Sequence, residues 1–341
     1  MEVRRRIASN LITLRKQLKD EVAQKTADDT LLLATWNIRD FDSNKFGHGS
    51  RIKESYYYIS EIISAFDIIA LQEINADLKA LKKVMNILGR NWSFITTDVT
   101  EGRSGNKERM TFVFDRNKVS FQNIAGEIVL PETKLIAGKR QFARTPFLVA
   151  FQSGWFKFML CTVHIYYGAK YGAKFERRVK EIRKIGKFIS KRADDDKKYN
   201  YILLGDFNIV TPDCETMYAL EGSGFEVPDR LRRPTNIDED KFYDQITFKT
   251  KPEELILGDT NKSAGVFKYY ESVFKDNEYE VYKDFMDPSK RDFDKNGNPN
   301  DELGKIEYYK EVWRTFQMSD HYPLWVELKI DFSEKYLENL I

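Results

Sequence analysis

Cysteine is almost missing from this sequence: 341 residues contain only Cys161 and Cys214. Two thiols make neither a disulfide scaffold nor a cysteine-rich zinc site. Cys161, inside the apolar stretch FKFMLCTVH (156–164), reads as a small core residue. Histidine is nearly as scarce, with only His48, His164 and His321. There is no HExxH pair and no GxxxxGK[ST] loop, so zinc peptidase and P-loop chemistry have no residues to stand on. No apolar run approaches the roughly 20 residues a membrane-crossing helix needs, and no signal-peptide pattern is visible. Net charge is also low. Lys plus Arg number 55 against 53 Asp plus Glu, a formal balance of +2, so no global field draws the chain onto DNA or a membrane. Internal repeats and Pro/Ser-rich linkers are absent.

What remains is the composition of a globular protein, 42% hydrophobic and 32% charged, rich in Phe (24) and Tyr (18). Residues 1–30 predict a helix, with Ile7, Leu11, Leu14 and Leu18 on one face, followed by a polar link. Its acids Glu2, Asp20 and Glu21 favour a helix packed on the domain over a basic membrane anchor or a transit sequence, which makes the expected location cytoplasmic. Strands are predicted at LLLATWNI (31–38), DIIALQEI (67–74), MTFVFD (110–115), 118–130, 147–154, 155–166, YILLGDFNIVT (201–211), FYDQITFK (242–249) and SDHYPLWVELKI (319–330). Helices are predicted at 55–66, 77–88 and 175–192. Helices alternate with strands, but several strands follow one another through short links, which argues for mixed rather than purely parallel sheets. A single domain over 31–332 is expected, with an insertion around 250–312, a tail at 333–341 and a monomeric state.

The ends of the strands carry the chemistry. LLLATW runs into Asn37, DIIALQ into Glu73, MLCTV into His164, and YILLG into Asp206 and Asn208; Asp320 and His321 precede the last strand. Any one of these is ordinarily a turn residue. Five apolar segments delivering amides, carboxylates and two of the three histidines are poorly explained by turns. Hard oxygen donors suit Mg²⁺, with Mn²⁺ as a substitute, and histidine supplies acid–base chemistry near neutral pH. That set fits metal-assisted attack on a phosphate ester.

The motifs TWNI (35–38), LQE (71–73), TVH (162–164), GDFN (205–208) and SDHYP (319–323) resemble those of the endonuclease/exonuclease/phosphatase superfamily, in the same order and over nearly the whole chain. The resemblance implies an α+β fold, a four-layer α/β/β/α sandwich of two mixed β-sheets flanked by helices. It is closest to the pancreatic-type deoxyribonuclease branch, through NKERMTFVFDRNKVS (106–120) and FYDQITF (242–248). LQEIN and His164 stand where abasic-site endonucleases carry LQETK and Tyr, and the inositol phosphatase signature is missing.

The resemblance implies Glu73, Asn37 and Asp320 as metal residues. Asp206 would activate water, and Asn208, Arg144 and Asn37 would contact the phosphate. His164 with Glu108, and His321 with Asp244, would form two histidine–carboxylate pairs. Each of these has a plainer reading as well: Glu108 as a surface strand residue, Asp244 as a turn residue, Arg144 as a solvated loop charge. DNA is the implied substrate, met by basic stretches at 139–140, 177–191 and 230–233. A phospholipid or small-molecule phosphoesterase of the sphingomyelinase type is the alternative. An inactive binding module predicts erosion of these positions, and none is eroded. RDFDKNGNPNDEL (291–303) sets Asp292, Asp294 and Asn296 at calcium-loop spacing, but Leu303 occupies the position that needs Glu, so a polar turn competes with a structural Ca²⁺ site.

Overall fold

The computed structural model describes all residues except 1, 100–106, 137–139, 252–253, 256, 259–261, 339 and 341. Its strands, in chain order, are β1 (Thr30–Phe41), β2 (Ile68–Asn75), β3 (Trp92–Thr96), β4 (Glu108–Asp115), β5 (Ser120–Glu127), β6 (Phe147–Ser153), β7 (Phe156–His164), β8 (Asn200–Asp206), β9 (Asp244–Lys249), β10 (Ala264–Val266) and β11 (Leu324–Lys329). The main helices are α1 (Glu2–Glu21), α2 (Lys53–Ser64), α3 (Lys79–Leu88), α4 (Ala173–Asp195) and α5 (Glu215–Glu221).

Two sheets form, of six strands in the order β10-β11-β1-β2-β4-β3 and five in the order β5-β6-β7-β8-β9. Within each, one parallel pair (β1 with β2, β7 with β8) sits among antiparallel neighbours, so both sheets are mixed. Successive side chains of a strand point to opposite faces, and with both faces covered Leu31–Ala34 of β1 and Tyr201–Leu204 of β8 are apolar at every position. Leu31 and Leu33 point into the space between the sheets with Ile202 and Leu204 of β8, sharing a core rich in Phe (Phe112, Phe147, Phe151, Phe158). Leu32, Ala34 and Trp36 face the other way, onto α1, α2 and α3. Tyr201 and Leu203 face α4 and α5, where Val179, Ile182, Ile185 and Ile189 form the buried stripe of α4. Both faces of the central strands are therefore buried, and the layers are α/β/β/α.

Helix α1 docks through Leu14 and Leu18 and is tied to α2 by Arg6–Glu54 and Arg15–Glu61 ion pairs. Within the segment expected to be an insertion, Tyr269, Tyr270, Phe274, Tyr282 and Tyr309 are buried in the same outer core as α2. The short strands β3 and β10 were not expected. β3 is half-buried along its whole length, and β10 has three residues, so neither carries an alternation long enough to read. Residues 118–130 were expected as strand and the ladder covers 120–127, mostly exposed at a sheet edge. Among the described residues no helix is long and apolar enough to cross a membrane.

Candidate active site

Topology alone brings the polar strand ends together. Parallel β1 and β2 end side by side, and so do parallel β7 and β8, with His164 opposite Asp206 in register. β9 runs antiparallel to β8, so its first residue, Asp244, also lies opposite Asp206. β4 is antiparallel to β2 and begins with Glu108 opposite Asn75. β11 is antiparallel to β1, which puts residues 319–321, just before it, at the same edge.

Asn37 joins the two sheets. Its Nδ2 donates to Glu73 Oε1 at 3.2 Å and to Asp206 Oδ2 at 3.0 Å. Glu73 accepts a second bond, from the Asp40 N–H to Oε2 at 2.8 Å, and its side chain is about one-fifth exposed (21%) while its neighbours are buried. Asp206 is buried, and its Oδ1 accepts from the Asn208 N–H at 2.8 Å. Asn208 donates through Nδ2 to the Ile165 carbonyl, and its own carbonyl accepts from Arg178. Glu73 and Asn208 both hold positive φ (62° and 53°), as do Arg39 and Asp40 (42° and 43°). Left-handed backbone at non-glycine residues is costly and clusters where surrounding structure forces side chains into a shared site. The β1–β2 register also slips between Asn37 and Phe41, a bulge that re-aims the strand end.

Two histidine–carboxylate pairs flank this centre. His321 Nδ1 lies 2.7 Å from Asp244 Oδ2, which also accepts from the Thr235 hydroxyl at 2.6 Å. The His321 ring stacks on Tyr243, with centroids 5.4 Å apart. Burial favours the neutral imidazole, but Asp244, Asp206 and Asp320 overrule it and lift His321 to about 10. Burial also pushes the Asp244 carboxyl up, so the two groups contend for one proton. That proton belongs on His321, because the imidazolium is attracted by Asp244, Asp206 and Asp320, an attraction that a neutral imidazole beside a protonated Asp244 would forgo. His164 Nδ1 approaches Glu108 Oε1 to 2.8 Å, yet off the axis a good hydrogen bond requires. Its Nε2 faces Asp206 Oδ2 at 3.5 Å and Glu73 Oε1 at 4.0 Å. Burial and Arg144 depress His164, but Glu108 and Asp206 raise it above its ordinary value. Burial opposes ionisation of Glu108, and His164 with Arg144 hold it down at about 2.

Two expected residues are placed differently. Arg144, expected on the phosphate, is buried with Nε on Glu108, so it braces the pair around His164. Asp320, expected beside Glu73, faces Arg39 at 3.3 Å and is more than a third exposed. Among the described residues, the acid and histidine group able to converge on one ion is Glu73, Glu108 and His164. Glu108 is already committed to Arg144 and His164, which leaves Glu73, partly open to solvent and without a lysine or arginine on it among the described residues, as the acid of that group best placed for an ion. At 291–303 no cation cradle forms. Asp292 turns to Arg291, and Asp294 caps its own turn by accepting from the N–H groups of Asn296 and Asn298, which makes it a polar turn. Of the basic stretch at 139–140, Lys139 lies outside the described residues.

Sequence reading missed the residues that hold these ends in place. Arg51 is fully buried and donates to the carbonyls of Ile38, Arg39, Asp40, Gln317 and Met318, stapling the end of β1 to the chain before Asp320. Ser319 adds a bond from its hydroxyl to the Asn37 carbonyl at 2.6 Å, and Trp36 Nε1 donates to the His321 carbonyl at 2.8 Å. Arg51 sits in a polar loop sequence, FGHGSRIKE, with no local signal to separate it from a solvated arginine.

No protein-family pattern matches the sequence, and no curated protein is similar to it. Solved structures are similar in fold. An endonuclease/exonuclease/phosphatase family protein of Bacteroides thetaiotaomicron superposes with a TM-score of 0.55 at 17% identity, covering 89% of this chain and 99% of that one. A mannosyl-6-phosphatase from B. thetaiotaomicron gives 0.54 at 16%, over 87% and 99%. TDP2 of D. rerio complexed with a single-strand DNA product gives 0.52 at 12%, over 88% and 99%. With its two mixed sheets, outer helices and polar strand ends at one edge, this chain has the endonuclease/exonuclease/phosphatase fold.

Proposed function

We propose that the protein is a divalent-metal-dependent phosphodiesterase, a deoxyribonuclease-like endonuclease acting on DNA. One observation carries the reading: Asn37 links Glu73 to Asp206 at the junction of the two sheets, between two buried histidine–carboxylate pairs. Carboxylate and amide oxygens, one carboxylate partly open to solvent, fit a hard cation such as Mg²⁺ or Mn²⁺. Glu73 with Asn37 would hold it, and when bound it would polarise the phosphate and offset developing negative charge.

The rest of the chemistry belongs to the side chains. Asp206, fixed by the Asn208 N–H and Asn37, orients the attacking water and receives its proton. His321, kept protonated by Asp244, uses Nε2 to donate to a phosphate oxygen or the departing oxygen. His164, with Nδ1 turned to Glu108, presents Nε2 toward the same centre and stabilises the phosphate. Asn208 keeps one Nδ2 hydrogen for a phosphate oxygen after bonding Ile165. Asp320 acts as a negative charge beside His321. DNA is favoured as substrate by the deoxyribonuclease-like pairing of both histidines with carboxylates and by the similarity in fold to a protein holding a single-strand DNA product. The similarity to a sugar phosphatase makes a small phosphomonoester the second reading.

The test is nicking of supercoiled plasmid with Mg²⁺, Mn²⁺ or EDTA, beside a His321→Ala control. Metal-dependent nicking lost in the variant is the expected outcome. Absence of nicking with every metal, combined with turnover of a sugar phosphate that His321→Ala abolishes, overturns the DNA assignment in favour of the second reading.

A further inference from the structure

A cavity of about 870 Å³ lies away from the strand ends. It opens between the outer face of α4 and the segment that follows β5. Its apolar wall consists of Leu130 and Ile136, both buried, with Leu135 and Phe188 half-buried above them. Among the described residues its rim is cationic: Lys180, Arg183, Lys184, Lys187, Lys191 and Arg192 line it with one acid, Asp195. The spacing of these residues along α4 keeps them on one side of the helix, opposite the stripe of Val179, Ile182, Ile185 and Ile189. Lys180 lies 3.5 Å from Glu176, but among the described residues Arg183, Lys184, Lys187 and Lys191 have no carboxylate partner.

Four cations unmatched by acids around an apolar floor are complementary to a ligand that is both anionic and apolar. The floor is mainly aliphatic, with one aromatic ring, whereas single-stranded nucleic acid is gripped by stacking its bases on several aromatic faces. A volume near 870 Å³ is within the range of small-molecule sites and holds an alkyl chain with its headgroup. From this combination we infer that the groove between α4 and residues 130–136 binds an anionic amphiphile. The alkyl chain lies over Leu130, Leu135, Ile136 and Phe188, and the phosphate or carboxylate sits among Arg183, Lys184, Lys187 and Lys191. None of the residues at the polar strand ends lines the groove, so the inference does not depend on the hydrolytic centre, although it competes with the expectation that the basic stretch at 177–191 meets DNA.

The experiment is calorimetric titration of the full chain with dodecyl phosphate below its micelle concentration. Inorganic phosphate serves as the anion alone and dodecyl maltoside as the neutral amphiphile. Saturable binding of dodecyl phosphate is expected, at least roughly tenfold tighter than either control. The double variant Arg183→Glu, Lys187→Glu changes two exposed residues; it should melt like the parent and lose roughly tenfold or more in dodecyl phosphate affinity. Vesicles of phosphatidylcholine alone, or mixed equally with phosphatidylserine, separate the sources. Variant-sensitive binding to the mixed vesicles means that the groove reaches lipids in a membrane, and titration without vesicle binding means that it takes free amphiphiles. Unchanged dodecyl phosphate affinity in the variant, or equal binding of inorganic phosphate, overturns the inference. So does a variant that loses only a single-stranded oligonucleotide, which would assign the stripe to nucleic acid.

Discussion

Buried polar side chains in this molecule act by satisfying groups that water cannot reach, and Arg51 is the clearest case. Its guanidinium serves five carbonyls at the junction of the β1 end and residues 317–318. Arg51→Met keeps much of the apolar stem but orphans those carbonyls, so a loss of roughly 3 kcal/mol or more is expected in urea unfolding, with plasmid nicking falling further than the folded fraction. His321 makes a second prediction. In metal-free protein its ring titrates near 10, because Asp244, Asp206 and Asp320 outweigh the cost of burial. Nitrogen-15 NMR of the imidazole should show it protonated through neutral pH, and Asp244→Asn should bring the midpoint down toward the ordinary 6.5 or below. A midpoint unmoved by that substitution would refute the pairing as the cause.

At the scale of elements, the β7–β8 contact decides how close His164 and Asp206 come. Gly205 has φ +127°, and a Cβ there would meet the Val163 carbonyl oxygen at 2.2 Å and its nitrogen at 2.9 Å. No flexible side chain is available to yield, since both atoms are backbone of the neighbouring strand. Gly205→Ala should therefore cost about 2 kcal/mol or more in stability, measured by denaturant midpoint. It should also lower kcat more than it raises KM, by spreading the pair that the strands hold in register. The helices play a different part. α4 buries Val179, Ile182, Ile185 and Ile189 against β7 and β8, each contributing roughly 1.5–3 kcal/mol of burial, and leaves its opposite face for the cationic groove.

For the molecule as a whole, two titrating pairs bound a pH window. The folded pKa of His321 is raised from 6.5 to about 10, so its contribution to stability is complete below about 6.5 and is lost as pH climbs through 10. Glu108 is depressed from 4.5 to about 2, so its contribution is complete above 4.5 and is lost as pH falls through 2. Stability of metal-free protein from these two pairs is therefore greatest between about 4.5 and 6.5. His321→Asn should flatten the alkaline limb in chemical denaturation series run across pH and leave the acid limb in place. Metal binding is the last of these predictions. A cation that binds only the folded state adds about 2.7 kcal/mol at about a hundred times its Kd, enough to raise Tm by several degrees. Mg²⁺ or Mn²⁺ should produce that rise, EDTA should remove it, and Glu73→Gln should abolish the response while folding normally.

The apolar runs ending at Asn37, Glu73, His164 and Asp206 made the strands legible in sequence, because central strands buried on both faces must be apolar at every position. The same logic singled out the residues that break those runs with charge, and the mixed sheets followed from strands joined by short links. What the sequence could not settle was direction and distance. Arg144 is as basic in a loop as on a phosphate, and only the approach of β4 to the chain before β6 sets it on Glu108. Asp320 stands one residue from His321 in the chain, yet the turn before β11 aims it at Arg39 instead of Glu73. Arg51 gains its role from carbonyls contributed by segments more than 250 residues apart. Local pattern records which side chains are buried and how often they repeat. Which polar atoms meet is decided by long-range strand pairing, and that order, β10-β11-β1-β2-β4-β3 against β5-β6-β7-β8-β9, exists only in the folded molecule.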